Sequence, residues 1–436
     1  MAVTWNEVNA AHLLRRAAFG GTAAEIAQAV SDGHIGAVNK LLAYDVVTTG
    51  DLDLRLSRQG IDLSSSSGIR YWWLTRLLFT PRPLEERMTL FWHDHWATSI
   101  SKVGDAGYMF TQNQLLRRYA LGNFINFAID MSKDIAMLIW LDNITNRKGR
   151  ANENYGRELL ELFTLGIGNY TEEDVLACAR SFTGWTYSGT TKTFVFSSAN
   201  HDYGSKTLLG QTGDWNGDDS VRIACGKFAH GQLIARKLFS YFAYDNPEAA
   251  VVDRFARIYM DSGTNIRPLV EAILKSDEMF SPKALWSKVK GPVDHGIIAS
   301  RQLLMDNDGL DNDLLGFLDA EGQTLFAPPD VDGWDGGLTW INSGWLLTRM
   351  NKSRTIISKY FDPIKFQLGA TITNAAQMVD FYLKTLGPIT LTAASRAELI
   401  KYVATDSATL PTGTTLALKQ KGLARLILCL PDWQLY

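Results

Sequence analysis

Apolar residues recur at three- and four-residue intervals over most of this chain, the spacing of helices that bury one face. The pattern covers AAEIAQAV after Thr22, IRYWWLTRLLF up to Pro81, LEERMTLFWHDHW from Leu84, the segment Asn113 to Ile139, and KFAHGQLIARKLFSYF. Thr22 and Thr171 stand where N-caps are expected. Thr171 leads EEDVLACARSF, whose Glu172, Glu173 and Asp174 read as partners of the helix dipole. The periodicity stops at Thr183. From there to about Ser220 the chain is rich in Gly, Thr, Ser, Asn and Asp, with one strand-like run, KTFVFSS. A second irregular loop is FAPPDVDGWDGG, Phe326 to Gly337, and a Thr/Ser/Gly/Pro stretch around Thr405 to Thr415 reads as a linker. The expectation is a mainly α protein: a multi-helix globular body with a small β-containing, irregular insertion near residues 183–222. Residues 1–350 are expected to form the main domain, insertion included, with a C-terminal helical segment, 351–436, packed on it.

Composition narrows the function only by exclusion. At 436 residues, 46% hydrophobic and 20% charged, the chain is long and apolar enough for a large core. A formal net charge of −3 argues against a nucleic-acid partner, which needs a basic surface. Cys178, Cys225 and Cys429 lie far apart and form no disulfide framework. No apolar run is long enough for a membrane span, and the start, MAVTWNEVNAAHLLRRAAFG, lacks the apolar centre of an export signal. There is no P-loop, dinucleotide fingerprint, HExxH or GxSxG.

The candidate chemistry sits in five places. In NENYGRELLELFTLG, Asn152 to Gly166, Tyr155, Leu159, Leu162 and Phe163 share a buried stripe, with Glu158 and Glu161 at its edge. Two carboxylates three residues apart can converge on a metal or divide into an acid and a base. Against this stands a salt-bridged helix, Glu153 with Arg157 and Arg157 with Glu161. FWHDHW offers His93 and His95 as weak metal candidates. On a helix their rings diverge by about 200°, which turns His95 inward and leaves His93 exposed. HDYGSKTLLGQTG carries His201, Asp202 and Lys206, suited to proton transfer or anion binding, or to satisfying its own turn. In DWNGDDS, Asp214, Asn216 and Asp218 alternate as in a calcium loop, but Cys225 stands where the closing glutamate belongs. PPDVDGWDGG brings Asp330, Asp332 and Asp335 beside Trp334.

These segments, with HLLRRAAFG at His12, AMLIWLDN at Ala136 and ARSFTGW at Ala179, make the chain resemble the bacterial family catalogued as domain of unknown function 1800. The likeness runs over most of the length. It implies no settled activity. It does imply a periplasmic or secreted setting, from which this chain departs by showing no export signal. Gly156 is a second departure, since many members carry alanine before the arginine.

The expected function is a hydrolase acting on a polymeric, glycan-like substrate. Glu158, Glu161, His201 and Asp202 would supply the chemistry, with a divalent metal as an optional cofactor. Arg180, Trp185, Lys206, Asp330, Asp332 and Trp334 would bind substrate around one cleft. The alternative is a non-catalytic cell-surface or assembly protein whose polar groups form structural networks.

Overall fold

The computed structural model describes residues 3–305, 311–364, 366, 368–369, 371–404 and 409–436. Among these described residues the fold is 63% helical, with 21 helices and two small antiparallel hairpins around residues 185–213. The mainly α expectation is therefore met, and the sheets fall inside the segment where helical spacing fails. Part of the stretch read as a linker around Thr405 lies outside the described residues. Among the described residues no helix is long and apolar enough to cross a membrane.

The helix Pro83–His95 is the hub. Proline at its start needs no N–H partner in the first turn. Met88, Phe91 and Trp92 enter one apolar core and Leu90 enters a second. The first core gathers the N-terminal helices and much of residues 116–284. The second joins residues 69–78 and 293–326 to the C-terminal helices up to Trp433. Buried charge at the hub is paired. Glu86 is fully buried and accepts from Arg76 Nε (2.8 Å), Arg117 Nε (2.7 Å), Arg117 Nη2 (2.9 Å) and Trp73 Nε1 (3.0 Å). Burial alone would raise its pKa, but the two guanidiniums outweigh it and hold the carboxyl at about 2.

HLLRRAAFG turns out to fasten the chain's ends together. Its helix, Glu7–Ala17, is capped by Asn6. His12 Nε2 lies 2.9 Å from the Met279 carbonyl, Arg15 donates to Gly387 O (3.0 Å), and Arg16 donates to Ala284 O (2.7 Å). Arg15 also lies over Trp286 and Arg16 over Tyr436.

Both expected threonine caps form as capping boxes, Thr22 with Glu25 and Thr171 with Asp174. Glu172 does more than face a helix dipole: it binds Arg157 at 2.6 and 2.9 Å. In the insertion, β1 (Trp185–Ser188) pairs with β2 (Thr193–Phe196), placing Trp185 opposite Phe196. β3 (Lys206–Leu208) pairs with β4 (Gln211–Gly213), placing Lys206 opposite Gly213. Asn216 then caps the helix Gly217–Cys225. The calcium-like alternation dissolves into separate roles: Asp214 meets Lys206, Asn216 is the cap, and Asp218 meets Lys133.

Candidate functional site

The glutamate segment is not one regular helix. Asn154–Glu158 is α-helical, and Leu159–Leu165 widens into a π-helical turn. Such turns insert a residue into the helical register and are often found at functional sites. The shift alters the buried stripe. Tyr155, Leu159 and Phe163 are buried as expected, but Leu160 is buried as well and Leu162 is only half-buried. Gly156 permits close packing here. A Cβ at that position would lie 2.9 Å from Ala179 N and 3.2 Å from Val175 O, so glycine lets this segment press against the helix Glu172–Ser181. The preceding NEN is a loop fastening: Asn152 N–H donates to Asn146 Oδ1 (3.0 Å) and Asn152 Oδ1 accepts from Asn154 N–H (3.0 Å).

The carboxylates at the turn have different partners. Glu161 accepts a hydrogen bond from the Tyr170 hydroxyl. Arg157 pairs with Glu172 and, at 3.4 Å, with Glu153, not with Glu161 as the salt-bridged alternative supposed. Glu158 is half-buried, and its pKa is pushed up to about 7. Burial is the main cause. Glu161 and Asp332 add like-charge repulsion, and Arg157 opposes it.

Asp332 belongs to the PPDVDGWDGG loop, which docks on the HDH segment. Asp94, the residue between the two histidines, accepts the Trp334 N–H at 2.8 Å. The close approach depends on Gly333. Its φ is +88°, and a Cβ there would come within 2.4 Å of Asp94 Oδ1. Asp94 has its pKa raised to about 6, first by burial, with Trp334 N–H and Lys237 lowering it and Asp335 raising it. Lys237, from the helix Phe228–Phe242, donates to the Leu162 carbonyl and approaches His95 Nδ1, both at 3.2 Å. Burial lowers its pKa, while Asp94 and Asp332 pull the other way. One polar group thus gathers Glu158, Glu161, Asp332, Asp335, Asp94 and Lys237 from four separated stretches of chain. Asp332 and Asp335 are exposed, which opens the group to solvent. Asp330 is exposed too and accepts the Asp332 N–H at 3.0 Å, shaping the loop.

Other expected members lie elsewhere or face inward. His201 is buried, with Nδ1 2.8 Å from the Thr183 carbonyl. Asp202 binds Arg180 Nε at 2.7 Å and takes the Gly204 N–H at 2.8 Å; the guanidinium beside it lowers its carboxyl to about 2. Lys206 is buried and meets Asp214 at 3.1 Å. Among the described residues, none of the contacts of His201, Asp202, Arg180 or Lys206 is with Glu158 or Glu161. The structure sets Glu158 beside Glu161 and Asp332, and it pairs Asp202 with Arg180 of the helix Glu172–Ser181, Lys206 with Asp214 and His201 with Thr183. Trp185 and Trp334 do not present open faces: both are buried, Trp185 against Phe182 and Phe194 and Trp334 against His93.

The two histidines diverge as helical geometry requires, but His93 is buried, not exposed, because the Phe326 loop covers it. Its Nε2 accepts the Phe326 N–H at 3.1 Å. With His95 turned to Lys237, the two rings share no open metal position. Among the described residues no group of three or more His, Cys, Asp and Glu is placed to hold a metal ion.

Sequence reading passed over Asp94, Lys237 and Tyr170. Asp94 had a signal, a carboxylate inside an aromatic and histidine run. Lys237 had a weaker one, a lysine amid the apolar face of ARKLFSYF. The family model described as Protein of unknown function (DUF1800) matches residues 12–435. The chain belongs to that family. No curated protein and no solved structure matches it.

Proposed function

We propose that this protein is a hydrolase acting on a polymeric, glycan-like substrate, with Glu158 as the proton-transferring acid. The observation that carries the reading is the Glu158 carboxyl, held at about 7 on a solvent-open surface beside Asp332 and Glu161. A carboxyl poised there keeps its proton near neutrality and can deliver it. In the reaction a water oxygen bonds to the anomeric carbon while the glycosidic carbon–oxygen bond breaks. Glu158 protonates the departing oxygen, and a second carboxylate from the facing loop, Asp332, takes the proton from water. Lys237 and Asp94 position the loop and balance its charge. The open surface favours a chain-like substrate over a small enclosed one. His201, Asp202, Arg180 and Lys206 act in this reading as the structural support of the insertion.

The test is release of reducing ends from a panel of polysaccharides by the purified protein and by E158Q. Loss of the acid lowers the rate by about 10²–10⁴-fold, and the wild-type rate falls as pH rises through about 7. Wild-type turnover that survives E158Q, or no release from any polymer, overturns the reading. The non-catalytic alternative is favoured by the pairing that fastens the insertion, Arg180 of the helix Glu172–Ser181 with Asp202, and Lys206 with Asp214. It expects no turnover and a loss of stability on breaking either pair.

A further inference from the structure

A second concavity lies away from Glu158, between the helices Ala106–Arg118 and Phe124–Lys133 and the hairpin β1–β2. Its volume is about 530 Å³, within the range of small-molecule sites. One wall is aromatic. Tyr108 meets Tyr187 edge-on at 5.9 Å, and Phe194 is backed by the buried ring of Trp185 at 5.1 Å. The helix Phe124–Lys133 contributes Asp130 and Lys133, Asp105 caps the helix that carries Tyr108, and two lysines stand over aromatic faces. Lys133 Nζ lies 5.3 Å from the Trp185 ring and is held by Asp218 at 2.8 Å; Lys192 Nζ lies 5.6 Å from the Tyr108 ring. The Tyr119 hydroxyl donates to Asp130 Oδ2 at 2.7 Å and fixes that carboxyl, whereas Asp134 is turned inward, its Oδ1 taken by Gln112 at 2.8 Å and by the Met137 N–H at 3.0 Å.

Two features of this lining select a ligand class. Two acidic side chains, Asp105 and Asp130, face two basic ones, Arg118 and Lys192, while Lys133 is already paired with Asp218 and burial pushes the Asp134 carboxyl up to about 7. That balance gives a strongly charged anion or cation no net attraction. Rings from the helix Ala106–Arg118 and the hairpin, together with the hydrogen-bonding groups Asp130 and Lys133 of the helix Phe124–Lys133, match a flat molecule with apolar faces and a polar rim. Sugar rings have that form: axial C–H groups lie against aromatic faces, and ring hydroxyls donate to carboxylates and accept from ammonium groups.

We propose that the cleft beneath β1–β2 binds a neutral oligosaccharide segment, stacked on Phe194 and Tyr108 and hydrogen-bonded to Asp130 and Lys133. The site uses none of the groups around Glu158, so it does not depend on the hydrolase reading. It gives the 185–196 hairpin a binding role, with Trp185 as a second layer behind the contact ring.

Isothermal titration calorimetry with cellohexaose, maltohexaose and chitohexaose tests it. At least one probe gives saturable binding to the full chain, with hydrogen-exchange protection over residues 105–118 and 192–195. Thr111 is exposed on the cavity wall, so T111W fills the cleft without entering the core and lowers affinity at least tenfold. F194A does the same by removing the stacking ring. E158Q leaves binding at this cleft unchanged, which separates failure here from failure of the hydrolase reading. The proposal is overturned if none of the three probes binds, or if binding survives unchanged in a folded T111W.

Discussion

Replacing Glu158 with glutamine should make the protein more stable, and only above the acid range. A glutamate has an ordinary pKa of about 4.3, and in the folded protein Glu158 is held at about 7. For a fully buried group that displacement is worth about 3–4 kcal/mol. Glu158 is half-buried, so solvent screening reduces it to about 1–2 kcal/mol. The sign follows from proton linkage. Between about 4.3 and 7 the folded state binds more protons than the unfolded state, so stability falls as pH rises through that window, and the penalty is complete above 7. Glutamine carries no charge and removes the penalty. E158Q should match wild type at pH 4 and exceed it by about 1–2 kcal/mol at pH 8. Urea unfolding at pH 4, 6 and 8, with unchanged m-values, measures this. A variant less stable than wild type at pH 8, or a difference that does not vary with pH, would falsify the electrostatic account. A sharp loss at every pH would instead mark Glu158 as a structural network member.

Three further outcomes probe the surroundings. E86Q leaves two buried guanidiniums without their counter-charge and should cost about 3–5 kcal/mol in urea unfolding; a loss below about 1 kcal/mol contradicts the pairing assigned here. Because the Glu86 carboxyl is lowered to about 2, its contribution in wild type is present above about 4.3 and disappears as pH falls through 2, a component absent from E86Q. G333A places a side chain at φ +88° and against Asp94 Oδ1, and should cost about 1–3 kcal/mol while displacing the Asp332 loop and reducing turnover; a variant of parental stability and activity would show that the loop yields without consequence. D202A frees Arg180 at a partly exposed site and should cost only about 1 kcal/mol, so thermal or urea unfolding that reveals a loss of several kcal/mol would give the insertion a far larger structural weight.

The helical body was legible because apolar spacing is a local property, read within a dozen residues. Thr22 and Thr171 cap as their neighbours foretell, for the same reason. The place where periodicity failed, at Thr183, is close to where β1 begins. The glutamate segment was legible in part. Its buried stripe follows α-helical spacing as far as Leu159, but the π-helical turn that follows depends on packing and breaks the 3.6-residue rule on which the pairing of Glu158 with Glu161 was judged. Gly156 had no local explanation. It is small because Ala179 of another helix lies against it. His93 was expected to face solvent because its own helix offered no cover, and the cover came from Phe326.

What the chain determines by itself is therefore short-range: its helices, their caps, the limits of the irregular insertion, and the residue types from which a site could be made. Which of those residues meet is decided only in three dimensions. Asp94, Glu158, Lys237 and Asp332 lie far apart in sequence and fall together because two apolar cores meet on the Pro83–His95 helix and because Gly333 lets a distant loop close over it. His201 and Asp202 looked equally suited, yet found their partners at the C-terminal end of the helix Glu172–Ser181, in Thr183 and Arg180. The pKa values of Glu158 and Asp94 are likewise tertiary properties, since burial and the approach of charges from other elements create them.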